Sequence, residues 1–218
     1  MTKGIIFDMD GTMVDNMMIH HRAWQRKLAE LGLDFTLQEV VEQIHGVNDE
    51  ILVRLFGDRF TAAERQQIAA EKEAAYREIF LPELKLIDGL PQFLDQLQQA
   101  GVPLVIGTAA PVENMDFILD ELHLRPYFRA AFHAGDVSQG KPHPEIFQKA
   151  AAALGLAASD CLVFEDSPTG IETARRAGSQ AVAITSSHTA AEFAHFPHVL
   201  GCVPDYRGLA WEEGKLVL

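Results

Sequence analysis

Gly4-Ile5-Ile6-Phe7-Asp8-Met9-Asp10-Gly11-Thr12-Met13-Val14-Asp15 restricts the folds open to this chain more than any other stretch. The apolar run from Ile5 to Phe7 has no polar interruption, the pattern of a strand buried on both faces. It runs directly into two carboxylates at alternate positions, with a glycine and a threonine after them. A buried strand that ends in such a turn delivers its polar residues at the carboxyl edge of a sheet, where open α/β sheets bind ligands. Asp8 and Asp10 cannot both shed their hydration cheaply, because like charges held close in a low dielectric repel. A divalent cation removes that penalty, and hard carboxylate oxygens suit Mg²⁺. A solvated Asp-x-Asp-Gly turn without function would satisfy the same residues.

Length and charge narrow the class. At 218 residues, 48% of them hydrophobic, the chain suffices for one large domain or for a core carrying a smaller insertion. The formal net charge of −13 argues against nucleic acid or anionic membrane as the main partner. No apolar run reaches the roughly 18 residues of a membrane helix. The first strand begins too early to leave room for a signal peptide. Cys161 and Cys202 each fall in an expected buried strand and read as two reduced thiols rather than a disulfide. The expectation is a soluble cytoplasmic protein, a monomer or weak homodimer.

Residues 16–81 read as helix throughout. Asn16 is placed to cap a first helix whose apolar stripe is Met17, Trp24, Leu28 and Leu31, stopped by Gly32. Further helices are expected near 36–45, 49–57 and 61–80. Strands resume at Val102 to Ile106, Cys161 to Phe164 and Ala181 to Ile184, with weaker ones near Ala130 to His133 and Val199 to Val203. Amphipathic helices near 89–100, 112–122, 143–155 and 168–178 separate them. Strands alternating with helices imply a parallel sheet covered on both faces. A parallel crossover needs only about a dozen residues, and the helix at 89–100 supplies one. The earlier helices are surplus and read as an all-helical cap, residues 16–81, inserted into an α/β core of residues 1–15 and 82–218.

If the sheet has a working edge, other strands should also end in chemistry. Val105-Ile106-Gly107-Thr108-Ala109-Ala110 ends in a hydroxyl residue, and Leu162-Val163-Phe164-Glu165-Asp166-Ser167 ends in two carboxylates. Between them, Gly140-Lys141-Pro142-His143-Pro144 sets a lysine just before a helix. Taken singly, Thr108 is a helix cap, Glu165-Asp166 another, and Lys141 a solvated charge. Three such endings in order after Asp-x-Asp are a pattern.

Asp-x-Asp-Gly-Thr after a buried first strand, followed by Thr108, Lys141 and Glu165-Asp166, resembles the haloacid dehalogenase-like hydrolases, whose class with a helical cap carries its insertion at this point. The resemblance implies a Rossmann-like core and phosphoryl transfer. It assigns Asp8 as nucleophile and Asp10 as general acid/base, with Thr108 on the phosphoryl oxygens and Lys141 offsetting the charge shared by phosphate and Asp8. It further implies a Mg²⁺ site made by Asp8, Asp166 with Glu165 beside it, and Asp10 through its backbone carbonyl. Dehalogenases of the superfamily lack the second aspartate and the ion-pumping ATPases carry threonine there, so Asp10 points to a phosphatase or phosphomutase acting on a small phosphorylated metabolite.

The cap decides between them. His20 and Trp24 share a helix face four residues apart, and match pocket residues of β-phosphoglucomutase-like enzymes. The alternative packs Trp24 in the cap core and leaves His20 partly exposed. His21 reads as surface. Lys72 falls inside the apolar stripe of Ile68, Ala75 and Ile79, where it either snorkels to water or meets an anion. His45 and Gly46 lie in a loop that in the mutases carries an arginine where this chain has Asp49. An aspartate there would repel a distal phosphate that a bidentate arginine would grip. The second-motif loop from Ala109 to Asn114 adds no basic residue. The leading reading is therefore a sugar monophosphatase, with Asn16, His20, Trp24, His45, Gly46, Lys72 and Ala109 as substrate-binding candidates and the cap closing to exclude water. A phosphomutase is the second reading and a non-catalytic phosphate-binding module a remote third.

Overall fold

The computed structural model describes residues 2–218. Its elements, in chain order, follow the apolar periodicity closely. Strand β1 (Gly4–Phe7) is completely buried. Four helices come next: α1 (Met17–Glu30), α2 (Leu37–Gln43), α3 (Asn48–Phe56) and α4 (Ala62–Phe80). There follow α5 (Leu90–Gln99), β2 (Leu104–Gly107), α6 (Val112–Glu121), β3 (Phe128–Phe132), α7 (Glu145–Ala153), β4 (Cys161–Glu165), α8 (Pro168–Ala177), β5 (Gln180–Ile184), the short α9 (Ala190–Phe193) and β6 (Val199–Val203). A hairpin of β7 (Ala210–Glu212) and β8 (Lys215–Val217) comes last, without a counterpart in the sequence reading.

Two compact units result, one of Met1–Asp15 with Lys85–Leu218 and one of Asn16–Leu84. In the first, six parallel strands are ordered β3-β2-β1-β4-β5-β6. Ile6 stands beside Val105 on one side and Val163 on the other. On one face it packs with Ile146, Phe147 and Ala150 of α7 and Ile171 of α8. On the other, Phe7 stacks on Phe164 at 5.0 Å, and Phe93 of α5 meets Phe164 edge-on at 5.6 Å. Each such aromatic adds about 1.5–3 kcal/mol when withdrawn from water. The sheet grows in opposite directions from β1, so the carboxyl ends of β1 and β4 flank the point where a crevice opens in this topology.

The second unit is a packed helical bundle. Trp24 and Leu28 of α1 pack with Val40, Ile51, Leu52 and Ile68. Thr36 with Glu39, and Thr61 with Glu64, form capping boxes that fix the starts of α2 and α4. Gly32 ends α1 at φ +92°, as its position suggested. Two expectations need correction here, and one alternative falls. Met17 is exposed and Leu31 half-buried, so the buried stripe of α1 is Ile19, Ala23, Trp24 and Leu28. Asn16 makes no side-chain cap; its Nδ2 donates instead to the Tyr76 hydroxyl at 2.5 Å. Lys72 does not snorkel, being only 2% exposed. In the first unit both cysteines are free thiols, but Cys202 is half-buried where full burial was expected.

Candidate active site

Asp8 follows β1 directly, and its N–H donates to the Phe164 carbonyl at 3.0 Å. That bond sets the ends of β1 and β4 side by side and brings Glu165 and Asp166 to Asp8. One carboxylate oxygen from each of these three buried residues lies within 4.8 Å of the others. Lys141, from the loop before α7, sits in the same group. Its ammonium is 2.7 Å from Asp8 Oδ1, 2.7 Å from Glu165 Oε1 and 4.8 Å from the centre of the Phe147 ring. The other oxygen of Asp8, Oδ2, accepts from Thr12 Oγ1 at 3.1 Å. Lys141 is therefore a buried ion-pair partner and not the solvated charge it could be taken for.

The helix-cap alternatives fail on geometry. Pro111, not Thr108, occupies the N-cap of α6. Thr108 is 1% exposed, and its Oγ1 accepts from the Ala110 N–H at 3.1 Å. Ser167 caps α8 by accepting from the Gly170 N–H at 3.0 Å. Glu165 Oε2 in turn accepts from the Ser167 N–H at 2.7 Å and its hydroxyl at 3.0 Å. Glu165 is thus held from both sides and orients Lys141. Asp10 is half-exposed, and its carboxylate lies outside the group of three; the contact expected of it uses the backbone carbonyl. Ala109 is exposed at the same strand end.

Charge balance defines what this group can do. Burial raises Asp8 to about 7, opposed by Lys141 and reinforced by Glu165. Burial, then Glu165 and Asp8, raise Asp166 to about 9. Burial would depress the Lys141 ammonium, but Asp8 and Glu165 outweigh it and hold it above its ordinary range. Fully ionised, three carboxylates against one ammonium would leave two negative charges, a state that a dication would favour, and hard oxygen donors at this spacing fit one the size of Mg²⁺.

Further contacts escaped the sequence reading. Ser186, just beyond β5, donates to the Gly11 carbonyl, and Ser187 donates to Asp166 Oδ2. His188 Nδ1 lies 3.1 Å from the Asp166 carbonyl oxygen. The signal was present: Thr185-Ser186-Ser187 follows an apolar strand as Thr108 follows β2.

The helical unit holds a polar network of its own. Lys72 Nζ is 2.9 Å from His20 Nδ1 and 2.9 Å from Glu73 Oε1, and Asn48 Nδ2 donates to the same Glu73 oxygen at 2.8 Å. His20 stacks on Tyr76 with ring centres 4.0 Å apart, while Lys72 approaches the Trp24 ring at 5.7 Å. Trp24 also belongs to the apolar core of this unit. His21, expected at the surface, is half-buried. His45 and Gly46 are exposed, and Gly46 adopts φ +96°, which the tight loop requires. Asp49 is paired with Arg65 Nε at 2.6 Å.

A six-stranded parallel sheet with helices on both faces, carrying this carboxylate–lysine group at its carboxyl edge, is the architecture of a hydrolase of the haloacid dehalogenase type. The chain belongs to that family: the haloacid dehalogenase-like hydrolase model matches residues 2–178. Fructose-1-phosphate phosphatase YqaB of Escherichia coli (strain K12) is 31% identical over 182 residues, 82% of this chain and 94% of that protein. Beta-phosphoglucomutase of Bacillus subtilis (strain 168) is 30% identical over 190 residues, 84% of this chain and 83% of that protein. The crystal structure of a HAD hydrolase, family IA, variant 3 from Entamoeba histolytica HM-1:IMSS superposes with a TM-score of 0.86 at 24% identity, covering 94% of each chain. Phosphatases and a phosphomutase thus stand among the relatives.

Proposed function

We propose that this chain is a Mg²⁺-dependent phosphatase of a small phosphorylated metabolite, a sugar monophosphate, working through an aspartyl-phosphate on Asp8. The observation that carries the reading is the Lys141 ammonium, shared at 2.7 Å between Asp8 and Glu165, in a buried group of three carboxyls that it alone offsets among the residues described there. Asp8, Asp166 and Glu165, with Asp10 through its backbone carbonyl, would hold Mg²⁺, whose charge when bound lets carboxylates and phosphate approach one another. Lys141 and Thr12 each hold one Asp8 oxygen, so the carboxylate is oriented for in-line attack on phosphorus. Thr108 Oγ1 already accepts from Ala110, which leaves its proton for a phosphoryl oxygen beside Ala109. Asp10 protonates the departing alkoxide and then deprotonates the water that releases phosphate. Asn16, His20, Trp24, His45, Gly46 and Lys72 read the rest of the substrate. A monophosphate is supported by the lack of a basic residue from Ala109 to Asn114.

The test is phosphate release from a panel of phosphorylated sugars, with Mg²⁺ and with chelator, beside Asp8→Asn. Mg²⁺-dependent release from sugar monophosphates is expected, with Asp8→Asn at least about 10³-fold slower and still folded. Substantial turnover in folded Asp8→Asn would sink the nucleophile assignment. A mutase is the second reading, favoured by Arg65, which counters the Asp49 charge that would repel a second phosphate. Conversion of β-glucose 1-phosphate to glucose 6-phosphate with a bisphosphate primer, without phosphate release, would select it.

A further inference from the structure

Tyr206 lies outside the family-matched residues 2–178, in the loop after β6, yet it reaches the loop that follows Asp8. It is 1% exposed, and its hydroxyl donates to the Thr12 carbonyl at 3.0 Å. The Thr12 hydroxyl is the donor that holds Asp8 Oδ2. The Tyr206 ring packs 6.3 Å from Phe7 and 5.5 Å from Phe164, the residues immediately before Asp8 and Glu165, and stacks on Phe93 at 5.9 Å. Its N–H donates to the Asp88 carbonyl at 2.9 Å, next to the point where the Ile87 N–H donates to the Met13 carbonyl at 2.9 Å. Among three phenylalanines a fourth would fill the same space without a hydroxyl to satisfy, so the oxygen needs a reason of its own. Burial, then the nearby Asp8 and Asp166 carboxyls, keep the phenol protonated and a donor.

We propose that Tyr206 is a positioning residue: it fixes the Thr12 peptide, and through the Thr12 hydroxyl it sets the direction in which Asp8 presents its attacking carboxylate. This rests on the reading of Asp8 as the nucleophile. A misaligned nucleophile loses rate rather than affinity, since substrate binding does not use the attacking geometry.

The experiment compares the full chain with Tyr206→Phe, Thr12→Val and the double variant, hydrolysing p-nitrophenyl phosphate in saturating Mg²⁺. Circular dichroism and a thermal melt fix a temperature at which each is folded. Tyr206→Phe should lower kcat about tenfold with KM within about twofold. In the Thr12→Val background it should add little, because the tyrosine acts on Asp8 only through the Thr12 hydroxyl, which valine lacks. An unchanged kcat, a double variant equal to the product of the singles, or a Tyr206→Phe chain that does not fold would overturn the proposal. If the unmodified chain releases phosphate from no ester, the phosphatase reading fails separately, and amide hydrogen exchange then decides the hold on the loop. Faster exchange confined to residues 9–15 in Tyr206→Phe supports it; unchanged exchange overturns it.

Discussion

At Gly11 the backbone takes φ +73°, and a Cβ there would lie 2.1 Å from Asp166 Oδ2. The absent side chain lets the carboxylate stand against the loop that follows Asp8. Gly11→Ala should therefore cost about 1–2 kcal/mol for the left-handed backbone alone, and push Asp166 out of its place beside Asp8. A thermal melt in chelator and a Mg²⁺ titration of activity measure the two effects; a variant with unaltered Mg²⁺ response would refute the second. Legibility at this scale followed one rule. Asp8, Thr108 and Glu165-Asp166 could be read because each ends an apolar run, and Lys141 because it precedes a helix start. Ser186 and Ser187 obey the same rule after β5. Tyr206 obeys none, since no local pattern tells that a ring 194 residues away returns to Thr12.

Between α1 and α4, a buried lysine and a half-buried histidine face each other where apolar residues would be the ordinary choice. Burial, then Lys72, lowers His20 to about 3, against Glu73, which opposes the shift. His20 is thus neutral in the fold but protonates near pH 6.5 when unfolded. The unfolded state then binds the extra proton, so stability present above about pH 6.5 is lost as pH falls toward 3, by up to about 1.4 kcal/mol per pH unit. Urea midpoints at pH 7 and pH 5 should show a smaller fall in His20→Gln than in the unmodified chain; equal falls would refute the burial argument. Helices and the central strands were legible because their periods are long or uninterrupted. The β7–β8 hairpin was not. Its strands are three residues each, and its turn is Glu213-Gly214, both at positive φ, in place of the more familiar Asn-Gly.

For the whole molecule, the buried carboxyls at the sheet edge should couple the effect of Mg²⁺ to pH. In chelator, Asp8 at about 7 and Asp166 at about 9 keep protons that the unfolded chain has shed above about pH 4. Both pKa values are raised in the fold, so this contribution falls as pH climbs from about 4 through 7 and on to 9. Mg²⁺ at a hundredfold excess over its Kd should restore about 2.7 kcal/mol, and the rise in melting temperature it produces should grow between pH 6 and 9. A shift independent of pH would place the ion elsewhere.

The position of β1 has a consequence for how the protein is made. Ile5 pairs with Leu104 on one side and Leu162 on the other, so a wholly apolar strand is synthesised long before either partner. At about 5–20 residues per second, the wait for β2 alone is roughly 5–20 s. During that interval the intervening helices, continuous in sequence and capped at Thr36 and Thr61, are all synthesised. On the ribosome the inserted unit is therefore complete before the sheet that it interrupts, while an apolar strand upstream still lacks both of its neighbours.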